Sequence, residues 1–154
     1  VRSRRQRQMC IRDSRWYVAN NQIPLFPFGY GLSYTTFAYG TPRLYKTSGA
    51  KNAPIKVTFT VTNTGKRAGA TVPQIYIGKP SQQGIPVPPK ELAGFRKIYL
   101  CPGETKTVTI TVEPRQLAYW NTQADRFVVM PGLYRIYLGS NVNNTPSMVT
   151  YTVR

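Results

Sequence analysis

The sequence predicts an all-β fold, an antiparallel sandwich of about seven short strands entered through an irregular aromatic segment. Three observations carry this. Threonine, valine and tyrosine are abundant while long Ala/Glu/Leu/Lys runs are absent, a balance that suits pleated, half-buried surfaces. Thirteen prolines and twelve glycines fall mostly between apolar runs, where turns need them. Two stretches, Ile55–Thr62 and Thr107–Val112, alternate apolar and polar residues with period two, the mark of a strand with one dry and one wet face. At 154 residues, 41% of them hydrophobic, the chain suffices for one domain with a core of its own.

The elements follow in order. Residues 1–14, VRSRRQRQMCIRDS, have no apolar periodicity and read either as a disordered basic arm or as a non-native scar. The abrupt change of character at Arg15 favours the scar. In residues 16–35 Pro24 and Pro27 exclude a helix and Gly29 and Gly31 permit tight turns. Their rings, Trp16, Phe26, Phe28, Tyr30 and Tyr34, alternate with turn residues instead of lining one face, which suggests a segment clamped against other protein.

Phe37 to Lys46 then reads as a first strand with an edge or bulge at Pro42. In the second, Ile55, Val57, Phe59 and Val61 form the buried set, and Asn63-Thr64-Gly65-Lys66 turns the chain. Val72 to Ile77 is a third strand, with Ile75 and Ile77 inside. Four prolines and a glycine make Lys79 to Pro89 a loop. Leu92 to Leu100 is a strand with a bulge near Gly94, and Cys101-Pro102-Gly103-Glu104 a tight turn. Val108, Ile110 and Val112 give the clearest alternation in the chain. Arg115 to Trp120 is one helical turn with Leu117 and Trp120 inward. Arg126 to Met130, Leu133 to Gly139 and Met148 to Val153 complete the sandwich.

The formal net charge of +16 is concentrated at the start: Arg2, Arg4, Arg5, Arg7, Arg12 and Arg15 accompany a single acid, Asp13. The remaining fifteen cations and four acids are spread singly along strands and turns, a solvated basic surface with no signature of specific nucleic-acid binding. Cys10 and Cys101 read as two free thiols. No apolar stretch approaches the roughly 20 residues of a membrane span, and the basic start is followed by no apolar segment of a signal peptide.

Catalytic chemistry is poorly provided for. There is no histidine, and the carboxylates Asp13, Glu91, Glu104, Glu113 and Asp125 lie at turns and strand ends with no pairing pattern of a glycosidase dyad. No catalytic, cofactor or metal residue is expected. Tyr76, Tyr99, Tyr119, Trp120, Tyr134, Tyr137 and Tyr151 are candidates for weak stacking on polysaccharide, against the commoner alternative of a packed ring with its hydroxyl at the surface. Asn143-Asn144-Thr145 matches an N-glycosylation acceptor.

The run Leu25-Phe26-Pro27-Phe28-Gly29-Tyr30-Gly31-Leu32-Ser33-Tyr34-Thr35-Thr36-Phe37 resembles the linker that leads into the C-terminal fibronectin type III-like domain of glycoside hydrolase family 3 enzymes. Val61-Thr62-Asn63-Thr64-Gly65, Val72-Pro73-Gln74-Ile75-Tyr76, Pro88-Pro89-Lys90-Glu91-Leu92-Ala93-Gly94-Phe95, Pro102-Gly103-Glu104-Thr105, Leu117-Ala118-Tyr119-Trp120, Pro131-Gly132-Leu133-Tyr134 and Gly139-Ser140 follow in the expected order.

The resemblance implies a fibronectin type III/immunoglobulin-like sandwich over 36–154, an interdomain linker over 15–35, and a parent β-glucosidase or β-xylosidase, retaining, whose catalytic residues lie in domains outside this sequence. It further implies that Phe26, Phe28, Gly29, Tyr30, Gly31 and Tyr34 pack against those catalytic domains, and that Trp16 and Tyr17 end the second of them. It puts the parent in the periplasm or outside the cell, and leaves open whether the loop Gln82–Pro89 reaches the active-site rim. An independent carbohydrate-binding or adhesion module is the alternative.

Overall fold

The computed structural model describes residues 23–81 and 87–154. The basic segment 1–14, Trp16, Tyr17 and residues 82–86 of the proline loop lie outside them.

Two sheets face each other. The first is centred on β4 (Ile55–Asn63). Its partner β9 (Thr105–Val112) runs antiparallel along one side, from Ile55 opposite Val112 to Thr62 opposite Thr105. The other side is lined by β1 (Phe37–Tyr39) and β2 (Arg43–Leu44). These two are the single first strand expected from the sequence, broken by one extra residue: Tyr39 opposes Val61, whereas Arg43 opposes Thr58. Proline at 42 cannot donate to the ladder, so the break falls beside it.

The second sheet has five strands in the order β3 (Ser48–Gly49), β13 (Ser147–Val153), β12 (Gly132–Gly139), β6 (Gln74–Gly78), β7 (Glu91–Phe95). Its pairs are antiparallel except β3 with β13. A register shift between β6 and β7 places the bulge at Ala93, next to Gly94. Two short antiparallel pairs complete the described residues: β5 (Gly69–Thr71) with β8 (Ile98–Leu100), and β10 (Ala118–Asn121) with β11 (Arg126–Val129). The stretch expected as one strand over 92–100 is therefore two, because after Phe95 the chain leaves β6 to pair with β5.

The core is the apolar phase of each ladder. Ile55, Val57, Phe59 and Val61 of β4, with Val108, Ile110 and Val112 of β9, meet Ile75 and Ile77 of β6, Tyr134, Ile136 and Leu138 of β12, and Tyr151 and Val153 of β13. Each fully buried aliphatic side chain contributes about 1.5–3 kcal/mol, which makes this phase the main source of stability. On the outer face of the first sheet threonines pair across the strands instead; the hydroxyls of Thr58 and Thr109 lie 3.0 Å apart, those of Thr62 and Thr105 2.8 Å.

Strand β6 departs from alternation: all five residues are buried. Ile75 and Ile77 face the core as expected, while Gln74 and Tyr76 point to the other face of the sheet and are covered there as well.

After β9, α1 (Pro114–Leu117) is one turn that buries Leu117. Trp120 does not follow it inward as expected. From Ala118 the chain is strand, and Trp120 pairs with Phe127 across β10 and β11, ring centroids 5.0 Å apart and edge to face, leaving it half exposed. Tyr134, near the start of β12, is fully buried and reaches back to donate to the Met130 carbonyl at 2.8 Å, with the Leu117 carbonyl at 3.4 Å. This is the tyrosine corner of immunoglobulin-like sandwiches. Lys79, at the end of β6, donates to the Ala118 carbonyl at 2.6 Å and pairs with Glu91 at 2.6 Å, tying the β10–β11 hairpin to the second sheet.

Burial pushes the Tyr134 phenol from 10.0 up to about 12. The unfolded chain therefore loses this proton first, and the stability tied to it is complete below pH 10 and falls as pH rises toward 12. Tyr134→Phe is expected to cost about 1–2 kcal/mol in urea unfolding at pH 7, by stranding the Met130 carbonyl. The variant's decline above pH 10 should also be shallower; identical slopes in the two proteins would show that this ring takes no part in it.

Candidate functional site

Residues 23–35 form no helix or strand, as Pro24 and Pro27 dictate, yet their backbone is held firmly. Tyr30 closes a turn by donating to the Pro27 carbonyl at 2.9 Å, and Gly29 within it has φ +82°, a conformation that costs any other L-residue energy. The turn lies against the outer face of β6. The Phe28 carbonyl accepts from the Val142 N–H at 3.0 Å, and the Gly29 carbonyl from Gln74 Nε2 at 3.0 Å. The second hydrogen of that amide nitrogen goes to the Ser140 carbonyl at 2.8 Å, and its Oε1 accepts from the Tyr76 hydroxyl at 2.5 Å.

A second anchor lies a few residues on. Thr35 Oγ1 donates to Asn63 Oδ1 at 2.7 Å, and the Thr64 N–H donates to the Thr36 carbonyl at 2.9 Å. Asn63 is completely buried; its Nδ2 donates to the carbonyls of Arg67 and Leu100, and its Oδ1 also accepts from the Gly65 N–H.

The side chains face the other way. Phe26 is 67% exposed, Leu32 88% and Tyr34 93%, while Phe28 and Tyr30 are about half exposed. The rings of Phe26 and Tyr30 pack on each other at 5.5 Å. Of the two glycines, Gly29 is a close approach, since a Cβ there would fall on the Gln74 amide; a Cβ at Gly31 would meet nothing in the described residues. Leu32, Phe37, Tyr39, Val72 and Pro146 are among the residues lining an open groove between the linker and the sandwich. The segment is thus a backbone fastened to the module with a row of apolar side chains turned outward.

Residues 71–142 match the family described as the fibronectin type III-like domain. The chain is 38% identical over 137 residues to β-glucosidase BoGH3A of Bacteroides ovatus, covering 89% of this chain and 18% of that protein. DesR, a β-glucosidase from Streptomyces venezuelae solved in complex with D-glucose, superposes with a TM-score of 0.84 at 38% identity, over 92% of this chain and 18% of that one. The GH3 β-glucosidase of Bifidobacterium adolescentis does so with a TM-score of 0.83 at 34% identity, over 90% and 20%. The chain is a fibronectin type III-like module of family 3 β-glucosidases. It spans about a fifth of the length of these relatives.

The module's other candidate residues divide by burial. Tyr76, Tyr134 and Tyr151 are buried and have no face to offer a sugar. The Tyr137 ring is covered by the Lys90 ammonium at 4.8 Å. Tyr99 and Trp120 are half or more exposed, and Phe127, which stacks with Trp120, lies under the Arg115 guanidinium at 4.8 Å. Glu91 is engaged by Lys79. Glu104 accepts from the Cys101 N–H at 2.7 Å and pairs with Lys106 at 3.0 Å; that N–H, with Lys106, holds its carboxyl below the usual range. Asn143 is exposed on the loop between β12 and β13, where its N–H is bonded to Asn141 Oδ1.

Sequence reasoning singled out the linker side chains but missed what holds the module's linker, above all Gln74, Tyr76, Val142 and Asn63. One signal was available: a glutamine opening the otherwise apolar strand Gln74-Ile75-Tyr76-Ile77. A polar amide in a strand that is buried on both faces must find partners.

Gly29→Ala forces a side chain into the left-handed region and onto the Gln74 amide, a cost of about 1–3 kcal/mol confined to the linker. Chymotrypsin cleavage after Phe28 and Tyr30 should accelerate by about tenfold with the urea midpoint of the sandwich unchanged. An unaltered cleavage rate would mean that the turn is not held as described.

Proposed function

We propose that this module is the C-terminal structural part of a family 3 glycoside hydrolase that removes terminal non-reducing β-D-glucosyl, or β-xylosyl, residues with retention. In this reading the outward row Phe26, Phe28, Tyr30, Leu32 and Tyr34 seats the module on the catalytic domains of the same chain. The single observation that carries this is the contrast within the linker: its backbone is bonded to the sandwich while its apolar side chains lie in solvent. Water-exposed rings on a fixed backbone have already lost conformational freedom, so covering them returns most of their transfer free energy. The length of the relatives supplies the occupant, since about four fifths of each lies outside the stretch this chain matches. Gly29 serves by letting the turn approach Gln74, and Gly31 by leaving the partner's surface room beside the row.

A second reading, weak contact with polysaccharide, is favoured by one feature, the half-exposed Trp120 supported by Phe127 and Arg115. Planar rings stack on sugar faces, and flanking donors engage hydroxyls. Retention of the chain on β-glucan, lost in Trp120→Ala, would support it.

The docking reading is tested by placing one substitution in two contexts. Leu32→Ser and Tyr34→Ser should change the stability of the isolated module by less than about 0.5 kcal/mol, because both side chains lie in solvent there. In the full-length parent each should cost about 1–3 kcal/mol, with kcat per folded molecule retained. Equal, negligible effects in both proteins would defeat the proposal.

A further inference from the structure

Gln74 and Tyr76 occupy an unusual place. They sit on the outward face of β6, a strand flanked on both sides by others, yet Gln74 is 6% exposed and Tyr76 1%. Something must cover them, and their polar ends must be satisfied within that cover. Among the described residues every buried side-chain nitrogen and oxygen has a partner, so these bonds can be followed completely. The Gln74 amide nitrogen donates once to the linker, at Gly29, and once to the β12–β13 loop, at Ser140. Its oxygen is taken by Tyr76, whose hydroxyl also lies 3.4 Å from the Phe28 carbonyl. The orientation of the amide is fixed by the two carbonyls: turned over, it would set its oxygen against both of them.

The loop that completes the arrangement is itself stiff. Asn141 Oδ1 accepts from the N–H groups of Asn143 and Asn144, and Ser140 N–H donates to the Asn144 carbonyl. From the strand side, the Lys90 ammonium holds the Val142 carbonyl at 3.2 Å and Thr145 Oγ1 at 2.7 Å. The Val142 N–H, so positioned, closes the circuit on the Phe28 carbonyl at 3.0 Å.

We infer that Gln74 and Tyr76 are positioning residues that latch linker residues 27–30 to the sandwich in the absence of any docking partner, so that the outward row of rings is preorganised before docking. The linker is then a part of the module and not a tether. Releasing it would expose the ring of Tyr76 and leave the Gln74 amide to be rehydrated within a sheet face, so the closed arrangement is the resting one. Preorganisation of this kind removes the ordering cost from the docking step. The latch is internal to this chain and holds or fails whatever the rings later contact.

Hydrogen exchange on the chain alone tests it, which keeps its outcome separate from that of the docking reading. The Val142 amide should be protected, with the core amides of Ile77 and Ile136 as controls. Gln74→Glu is nearly isosteric but turns the double donor into an acceptor facing two carbonyls. It should raise the Val142 exchange rate by about tenfold or more while the control amides stay within about twofold. An unprotected Val142 amide in the unaltered chain, or protection unchanged in Gln74→Glu, would overturn the inference. Should Gln74→Glu unfold the sandwich, Tyr76→Phe decides. It keeps the ring and removes only the hydroxyl that orients the amide; about threefold faster exchange at Val142 supports the latch, and an unchanged rate overturns it.

Discussion

The two hydrogens of the Gln74 amide fix where the linker lies on the sandwich. One goes to the linker and one to the β12–β13 loop, and both must be placed because the strand that carries them is buried on both faces. An unsatisfied amide at such a site costs about 1–3 kcal/mol, enough to matter in a domain of marginal stability. The outer face of β6 therefore recruits a cover, and the cover is the segment that leads into the first strand. Gly29 follows from the same demand: the turn must come close enough for its carbonyl to reach the amide, and only a residue without Cβ can do so at φ +82°.

The division between backbone and side chain then explains the segment's composition. Prolines and glycines shape a turn whose carbonyls face the sandwich, and the residues between them, freed from packing inward, are apolar all the same. In a self-sufficient domain such positions would be polar. Asn63 anchors the downstream end of the segment through Thr35 while also bonding the Arg67 and Leu100 carbonyls, so a single buried side chain joins linker, turn and strand β8.

Much of the fold was legible because much of it is local. Strands β4 and β9 show their buried phase in the sequence, residue by residue, and the Pro-Gly turns at 102–103 and 131–132 bound strands where expected. What failed depended on pairing. Trp120 follows Leu117 at helical spacing, but its neighbour is Phe127 of the next strand, a relation that no window around Trp120 contains. The stretch 92–100 reads as one strand and is two, because at Phe95 the chain leaves one partner for another. In the candidate site the outward rings could be named from their irregular spacing. Their anchors could not, because Gln74 and Val142 are distant in sequence from Phe28 and Gly29 and owe their role to where β6 and the β12–β13 loop meet.

The threonine pairs on the first sheet have a consequence for the molecule as a whole. They lie on the outer face of the first sheet, whereas the linker covers the outer face of β6 in the second, and hydroxyl matched to hydroxyl keeps that stretch of the first sheet polar. The module is two-sided in this respect, like a tile glazed on one surface and bare on the other, with matched hydroxyls on its first sheet and apolar rings along its linker.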